Sequence, residues 1–163
     1  MSEMQLQSAL RDSVQEVLEK MFFVEPVEEP PGEAGSRDGE MAVQVAFEGL
    51  PSGALTLRVA NAAASQIAAD FLGEDAAGLS SAKVAEVVCE LANMICGSVL
   101  SRVESSATFR LASPRLLPAE EGPNRQDAAD RRAVHAVAIG SGTLTASVET
   151  RDPVCPPVEK SGS

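Results

Sequence analysis

Neither tryptophan nor tyrosine occurs among the 163 residues, and five phenylalanines carry all the aromatic character. A core built from this chain is therefore aliphatic and fine-grained, drawn from Ala, Val, Leu, Ile and those few Phe, and the 44% hydrophobic content is ample for one. Clusters of Lys and Arg are also missing: 13 basic residues stand against 24 acidic ones, a formal net charge of -11. Nucleic-acid binding, which needs grouped cations against phosphates, is excluded by that balance, and a protein partner is expected instead.

Long hydrophobic runs are absent as well. The opening MSEMQLQSALRDSVQEVLEKMFFVE has no basic stretch followed by an apolar one, and nowhere do about 18 apolar residues follow one another. The expectation is a soluble, cytoplasmic protein with no membrane partner. The three cysteines, Cys89, Cys96 and Cys155, form no Cys-x-x-Cys pair and leave an odd number, which suits a reducing compartment. Cys89 and Cys96, if on one helix, stand roughly 10 Å apart and cannot bridge. They are expected to be buried or half-buried packing thiols, since no histidine accompanies them as an activating base. His135 is the single histidine and falls in a predicted strand, where a packed or edge imidazole outweighs a catalytic one. No metal-binding site is recognisable, no internal repeat is evident, and no Gly-rich phosphate loop follows a strand, so a nucleotide-binding fold is disfavoured.

What is present is clearly patterned. Leu6, Leu10, Val14, Val17, Leu18 and Met21 recur at helical spacing, predicting an amphipathic helix from Met4 to Phe23. EPVEEPPGEAGSRDGE, 25–40, is too polar to order itself and is read as a mobile loop. Met41–Phe47 and Ala54–Val59 form a hairpin around the turn residues 49–53. Asn61 is placed as the cap of a helix that runs to Leu72, with Ile67, Phe71 and Leu72 on its apolar side and Gly73 as its stop. Ser80 or Ser81 starts a longer helix through Val103. Thr108–Ala112, Ala133–Ile139 and Thr143–Val148 are read as strands, with a second polar loop at 118–132. The order α-β-β-α-α-β-β-β makes an α+β domain, an antiparallel sheet covered by helices, over residues 1–150, with a flexible tail at 151–163.

The chemistry concentrates on the long helix, KVAEVVCELANMICGSVLSRVE. At about 100° per residue, Glu86, Glu90, Asn93, Gly97, Ser101 and Glu104 fall on one stripe, while Val84, Val88, Leu91, Ile95 and Val99 fall opposite. Gly97 costs about 1 kcal/mol relative to Ala inside a helix, so its place one turn after Asn93 calls for close approach of another group. From the residues alone the stripe is either an ordinary solvated face or a pair of groups set out for another molecule. Spacing by itself does not decide this, because Glu121-Gly-Pro-Asn124 also reads Glu-x-x-Asn in a loop. Glu16 and Glu19 on the first helix lack an Asn partner.

Glu90-Leu-Ala-Asn93-Met-Ile-Cys-Gly97 resembles the Glu-x-x-Asn-x-x-x-Gly signature of the CheC, CheX and FliY chemotaxis phosphatases. The hairpin strand Gly53-Ala-Leu-Thr-Leu57, the helix ending Phe71-Leu72-Gly73-Glu74 and the closing strands are similar in order to a CheX domain, over about Val14 to Val148. CheC-type proteins carry two motif copies, so the single copy here resembles the CheX branch. The resemblance implies a CheC-like fold and hydrolysis of the aspartyl-phosphate on a CheY-like receiver domain. It assigns Asn93 to orienting the attacking water and Glu90 to pairing with the receiver's Lys, with Glu86 and Gly97 as partner-binding positions. It implies no cofactor of the chain's own, Mg²⁺ being supplied by the receiver, and a homodimer. The family often has Asp or Ser where Glu86 stands. A non-catalytic receiver-binding adaptor and a flagellar-switch-like assembly module are the alternatives.

Overall fold

Ser2 opens the first helix, α1 (Glu3–Glu16), with a reciprocal cap. The Gln5 backbone N–H donates to the Ser2 hydroxyl at 3.1 Å, and the Ser2 N–H donates to the Gln5 side-chain oxygen at 2.8 Å. The structure, a computed structural model, describes residues 2–22, 27–29, 39–49, 52–103, 109–117, 131–139 and 142–151. Leu6, Leu10, Val14, Val17 and Leu18 are buried, as their spacing predicts, but Met21 is exposed and Phe22 is buried in its place. The reason is local: Val17–Met21 widens into a π turn, closed by the Phe22 N–H donating to the Val17 carbonyl, and the extra residue shifts the inward face by one position.

The sheet follows from strict alternation. In β2 (Glu40–Glu48) Val43, Val45 and Phe47 are buried, and in β3 (Ser52–Ala60) Leu55, Leu57 and Val59 are. β6 (Arg131–Ile139) and β7 (Gly142–Arg151) continue the pattern, and register locks the buried positions into rows: Val43 opposite Leu57 opposite Ala146, and Val45 opposite Leu55 opposite Val148. All pairings are antiparallel, in the order β1-β6-β7-β3-β2-β4, with β5 also on β2. The alternate positions, among them Gln44, Thr56, Arg58 and Ser147, make a partly exposed polar face on which Arg132 and Glu149 pair at 2.7 Å.

Three helices lie on the apolar face. α1 packs on β6, β7 and α3. The second helix, α2 (Asn61–Leu72), packs against α3, β3 and β7, and α3 (Ser81–Val103) lies over β2 and β3. α3 buries nine side chains, from Val84 through Leu100, each larger aliphatic worth about 1.5–3 kcal/mol. It has the length and composition of a membrane span, yet half of it is buried inside this domain, so its apolar side is accounted for by the core. The α+β class and helix-covered antiparallel sheet are as the sequence predicts.

Several details differ. The stretch 25–40 contains a strand, β1 (Val27–Glu29), which pairs with β6 because backbone hydrogen bonding at an open edge does not require an apolar sequence. Asn61 is the first helical residue and does not cap α2; Ala60 holds the cap position with no side-chain bond. Gly73 does stop α2, in the left-handed conformation at φ 69°. Phe71 is exposed rather than core, its ring stacked on Phe22 at 4.4 Å. The strand expected at Thr108–Ala112 is only Arg110–Leu111 (β4), followed by β5 (Arg115–Leu116). Residues 30–38, 118–130 and 152–163, and with them Cys155, Glu121 and Asn124, lie outside the described residues, as do Phe23, Glu104 and Thr108.

Candidate functional site

α3 is positioned at its start by Ser80, whose hydroxyl accepts the Lys83 N–H at 3.1 Å and whose carbonyl accepts the Val84 N–H. From there the buried side, Val84, Val87, Val88, Leu91, Ile95 and Val99, fixes the rotation of the helix, and the opposite stripe must face away from the core. Glu86, Glu90 and Ser101 are exposed, and Asn93 and Gly97 are half-buried. Glu90 and Asn93 are separated by about 4.5 Å along the axis and about 60° around it, so they present a carboxylate and a carboxamide side by side.

Glu86, Glu90 and Asn93 open into one groove of about 650 Å³. Its floor is Ala82, Ala85 and Cys89 of α3, and its other wall is Pro114 and Leu116, at and just before β5. Of the two, Asn93 is the more buried and Glu90 the more exposed. Gly97 and Ser101 continue the stripe beyond the groove's lining. Among the described residues a Cβ built on Gly97 would meet nothing within 4 Å, so no packing among them explains the glycine.

Electrostatics narrow the chemistry. Burial, and then the neighbouring Glu86 carboxylate, push the Cys89 thiol above its ordinary range, and burial alone pushes Cys96 up to about 12. Both sulfurs are held as thiols at neutral pH, the opposite of what a nucleophilic cysteine requires. His135 is buried in β6, opposite Ala146 of β7, and does not line the groove. Glu16 is engaged with Arg102 of α3 and with Lys20, at 3.6 Å from the latter, so α1 presents no free counterpart of the Glu90 and Asn93 pair at that position. Among the described residues no group of three or more His, Cys, Asp or Glu could hold a metal ion.

The model of the family described as chemotaxis phosphatase CheX matches residues 41–136, which includes the hairpin, α2, α3 and most of β6. The chain belongs to the CheX family. CheX from Vibrio vulnificus is similar in fold at a TM-score of 0.74 and 19% identity, over 93% of this chain and 99% of that one. CheX from Borrelia burgdorferi, solved as a CheX–CheY–BeF3–Mg²⁺ complex, is similar at 0.70 and 18% identity, over 89% and 97%. FliY from Thermotoga maritima is similar at 0.56 and 17% identity, over 91% and 86%. No curated protein matches the chain.

Sequence reasoning brings out Glu86, Glu90, Asn93 and Gly97, but not the groove. Pro114 and Leu116 carried a usable signal: Ser113 and Leu117 each precede a proline, which biases them to extended backbone, and a Leu-Leu pair between two prolines is a compact edge-strand pattern. Cys89, read as a packing thiol, is half-buried and also part of the groove floor.

Proposed function

We propose that this CheX-family chain hydrolyses the aspartyl-phosphate of a CheY-like receiver domain in the cytoplasm. The observation that carries the reading is the opening of Glu90 and Asn93 into one groove from a helix whose opposite face is locked in the core. Membership of a chemotaxis phosphatase family and similarity in fold to a CheX solved with CheY support it.

In this reading the Asn93 carboxamide reaches into the receiver pocket, accepts a hydrogen bond from a water and sets its oxygen in line with phosphorus. That oxygen bonds to phosphorus, the P–O bond to the aspartyl carboxylate breaks, and the carboxylate leaves with the electron pair while the water's proton ends on phosphate. An acyl phosphate already has a good leaving group, so no strong general acid is needed and positioning supplies most of the rate. Glu90 pairs with the receiver's Lys and fixes the docking register, and Glu86 adds a second carboxylate on the same side. Gly97, with open space beside it, lets the partner's surface approach α3. Mg²⁺ belongs to the receiver and neutralises phosphoryl oxygens there; the chain itself uses no cofactor. We also propose a homodimer, which light scattering at micromolar concentration tests.

The deciding experiment is receiver dephosphorylation with wild type and the Asn93→Ala variant. Acceleration by wild type that falls about 100-fold in the variant is expected from loss of the one water-positioning group. Phosphorylation-dependent binding with an unchanged dephosphorylation rate would instead make the chain a receiver-binding adaptor. Binding to flagellar partners that ignores both Glu90 and Asn93 would make it an assembly module.

A further inference from the structure

Leu116 is 50% exposed, one of four large apolar side chains so exposed among the described residues, and the only one of them lining the Asn93 groove. Its position is not a loose loop. Leu116 pairs with Val43 on β2, Arg115 with Gln44, and the Leu117 N–H donates to the Ala42 carbonyl at 2.9 Å. Directly paired residues project to the same side of a sheet, so Leu116 stands on the helix-covered face beside Val43, which is fully buried. α3 lies against both β2 and β5, and Leu116, half exposed on a fixed strand, lines the same groove as Asn93.

The groove's charge is one-sided. Glu86 and Glu90 line it, with no Lys or Arg among the described lining residues, and Ala82, Ala85 and the Cys89 thiol, which burial and Glu86 keep protonated, are neutral. A matching surface carries a basic group beside an apolar side chain.

Resting on the receiver-phosphatase reading, we propose that the β5 wall is the second half of the docking surface. Leu116, backed by Pro114, takes an apolar side chain that borders the receiver's phosphorylated pocket, while the two carboxylates take its basic group. Leu116 is then a specificity-determining residue: it contributes to recognition and touches no reacting atom.

Each CheY-like receiver encoded in the source genome is phosphorylated with acetyl phosphate and its steady-state dephosphorylation measured with wild type, Leu116→Ser, Leu116→Thr, Leu116→Met and Asn93→Ala. Expected is a rise in KM of about five- to tenfold for both Ser and Thr, from losing roughly half a leucine's burial, with kcat within about twofold. The Met variant keeps wild-type KM, and Asn93→Ala loses kcat. Threonine preserves strand propensity, so a KM rise shared by Ser and Thr is not a melted β5, and thermal melts of all variants confirm the fold. An active wild type with KM unchanged in both Leu116→Ser and Leu116→Thr, or with kcat alone reduced in them, overturns the role of Leu116 and leaves the phosphatase reading standing. A wild type inactive on every receiver overturns both.

Discussion

The side-chain amide of Gln7 closes both outward backbone hydrogen bonds of Val134: its nitrogen donates to the Val134 carbonyl at 2.7 Å, and its oxygen accepts the Val134 N–H at 3.3 Å. Glu3 extends the arrangement by accepting the Arg132 N–H at 3.3 Å. Among the described residues β1 covers β6 from Ala136 to Ala138, and at Val134 it is the Gln7 side chain of α1 that meets the backbone groups. An amide is suited to this because it presents an N–H donor and a carbonyl acceptor side by side.

Gln7→Ala is therefore expected to lower stability by about 1–2 kcal/mol, since two neutral hydrogen bonds are replaced by water at a partly exposed edge. Gln7→Glu keeps an acceptor for the N–H but sets a carboxylate against the Val134 carbonyl, and is expected to be no better than Ala at neutral pH. Urea unfolding midpoints measure both. Wild-type stability in the two variants would remove α1 as the guard of this edge.

At Glu90, replacement by Ala or Gln is expected to weaken receiver binding about 30-fold, from about 2 kcal/mol of a pair desolvated in the complex, with the rate at saturation little changed. The effect shrinks as salt is raised, because the association is partly electrostatic. Titration of the phosphorylated receiver at two ionic strengths reads both quantities.

Gly97→Ala separates folding from docking. With nothing among the described residues within 4 Å of the added methyl, the helix gains up to about 1 kcal/mol, so the melting temperature should rise. In the proposed complex the methyl would stand in the receiver's path, so dephosphorylation is expected to fall nonetheless. A variant that is both more stable and fully active would show that Gly97 serves no contact.

Alkaline conditions should destabilise the fold through Cys96. Its thiol is pushed from an ordinary 9.0 up to about 12 by burial, so above pH 9 the unfolded chain releases a proton that the native chain keeps. The native state then binds more protons than the unfolded one, and stability is lost as pH rises from 9 toward 12. Cys89, also raised, adds in the same direction. Cys96→Ala should be less stable at neutral pH, through the volume it leaves, but should lose less between pH 8 and about pH 10.5 than wild type. Equal slopes in denaturant unfolding at the two pH values would contradict this.

The sequence by itself determined what depends on short range. The spacing of Val84, Val88, Leu91, Ile95 and Val99 fixed which way α3 turns, and so which way Glu86, Glu90 and Asn93 turn, because 3.6-residue periodicity is written into any stretch of a helix. The β2–β3 hairpin and the stop at Gly73 were legible for the same reason. The departures have two sources. One is local, the π turn that buries Phe22 in place of Met21. The other is distant in sequence, β1 settling on an edge that α1 only partly covers. Tertiary structure alone brought Leu116 and Asn93 to one groove, since a two-residue strand has too little pattern to announce its partner and the pairing with Val43 exists only once β2 is in place. A carboxylate and an amide on one helix face are a property of the chain; the groove that gives them something to work against is a property of the fold.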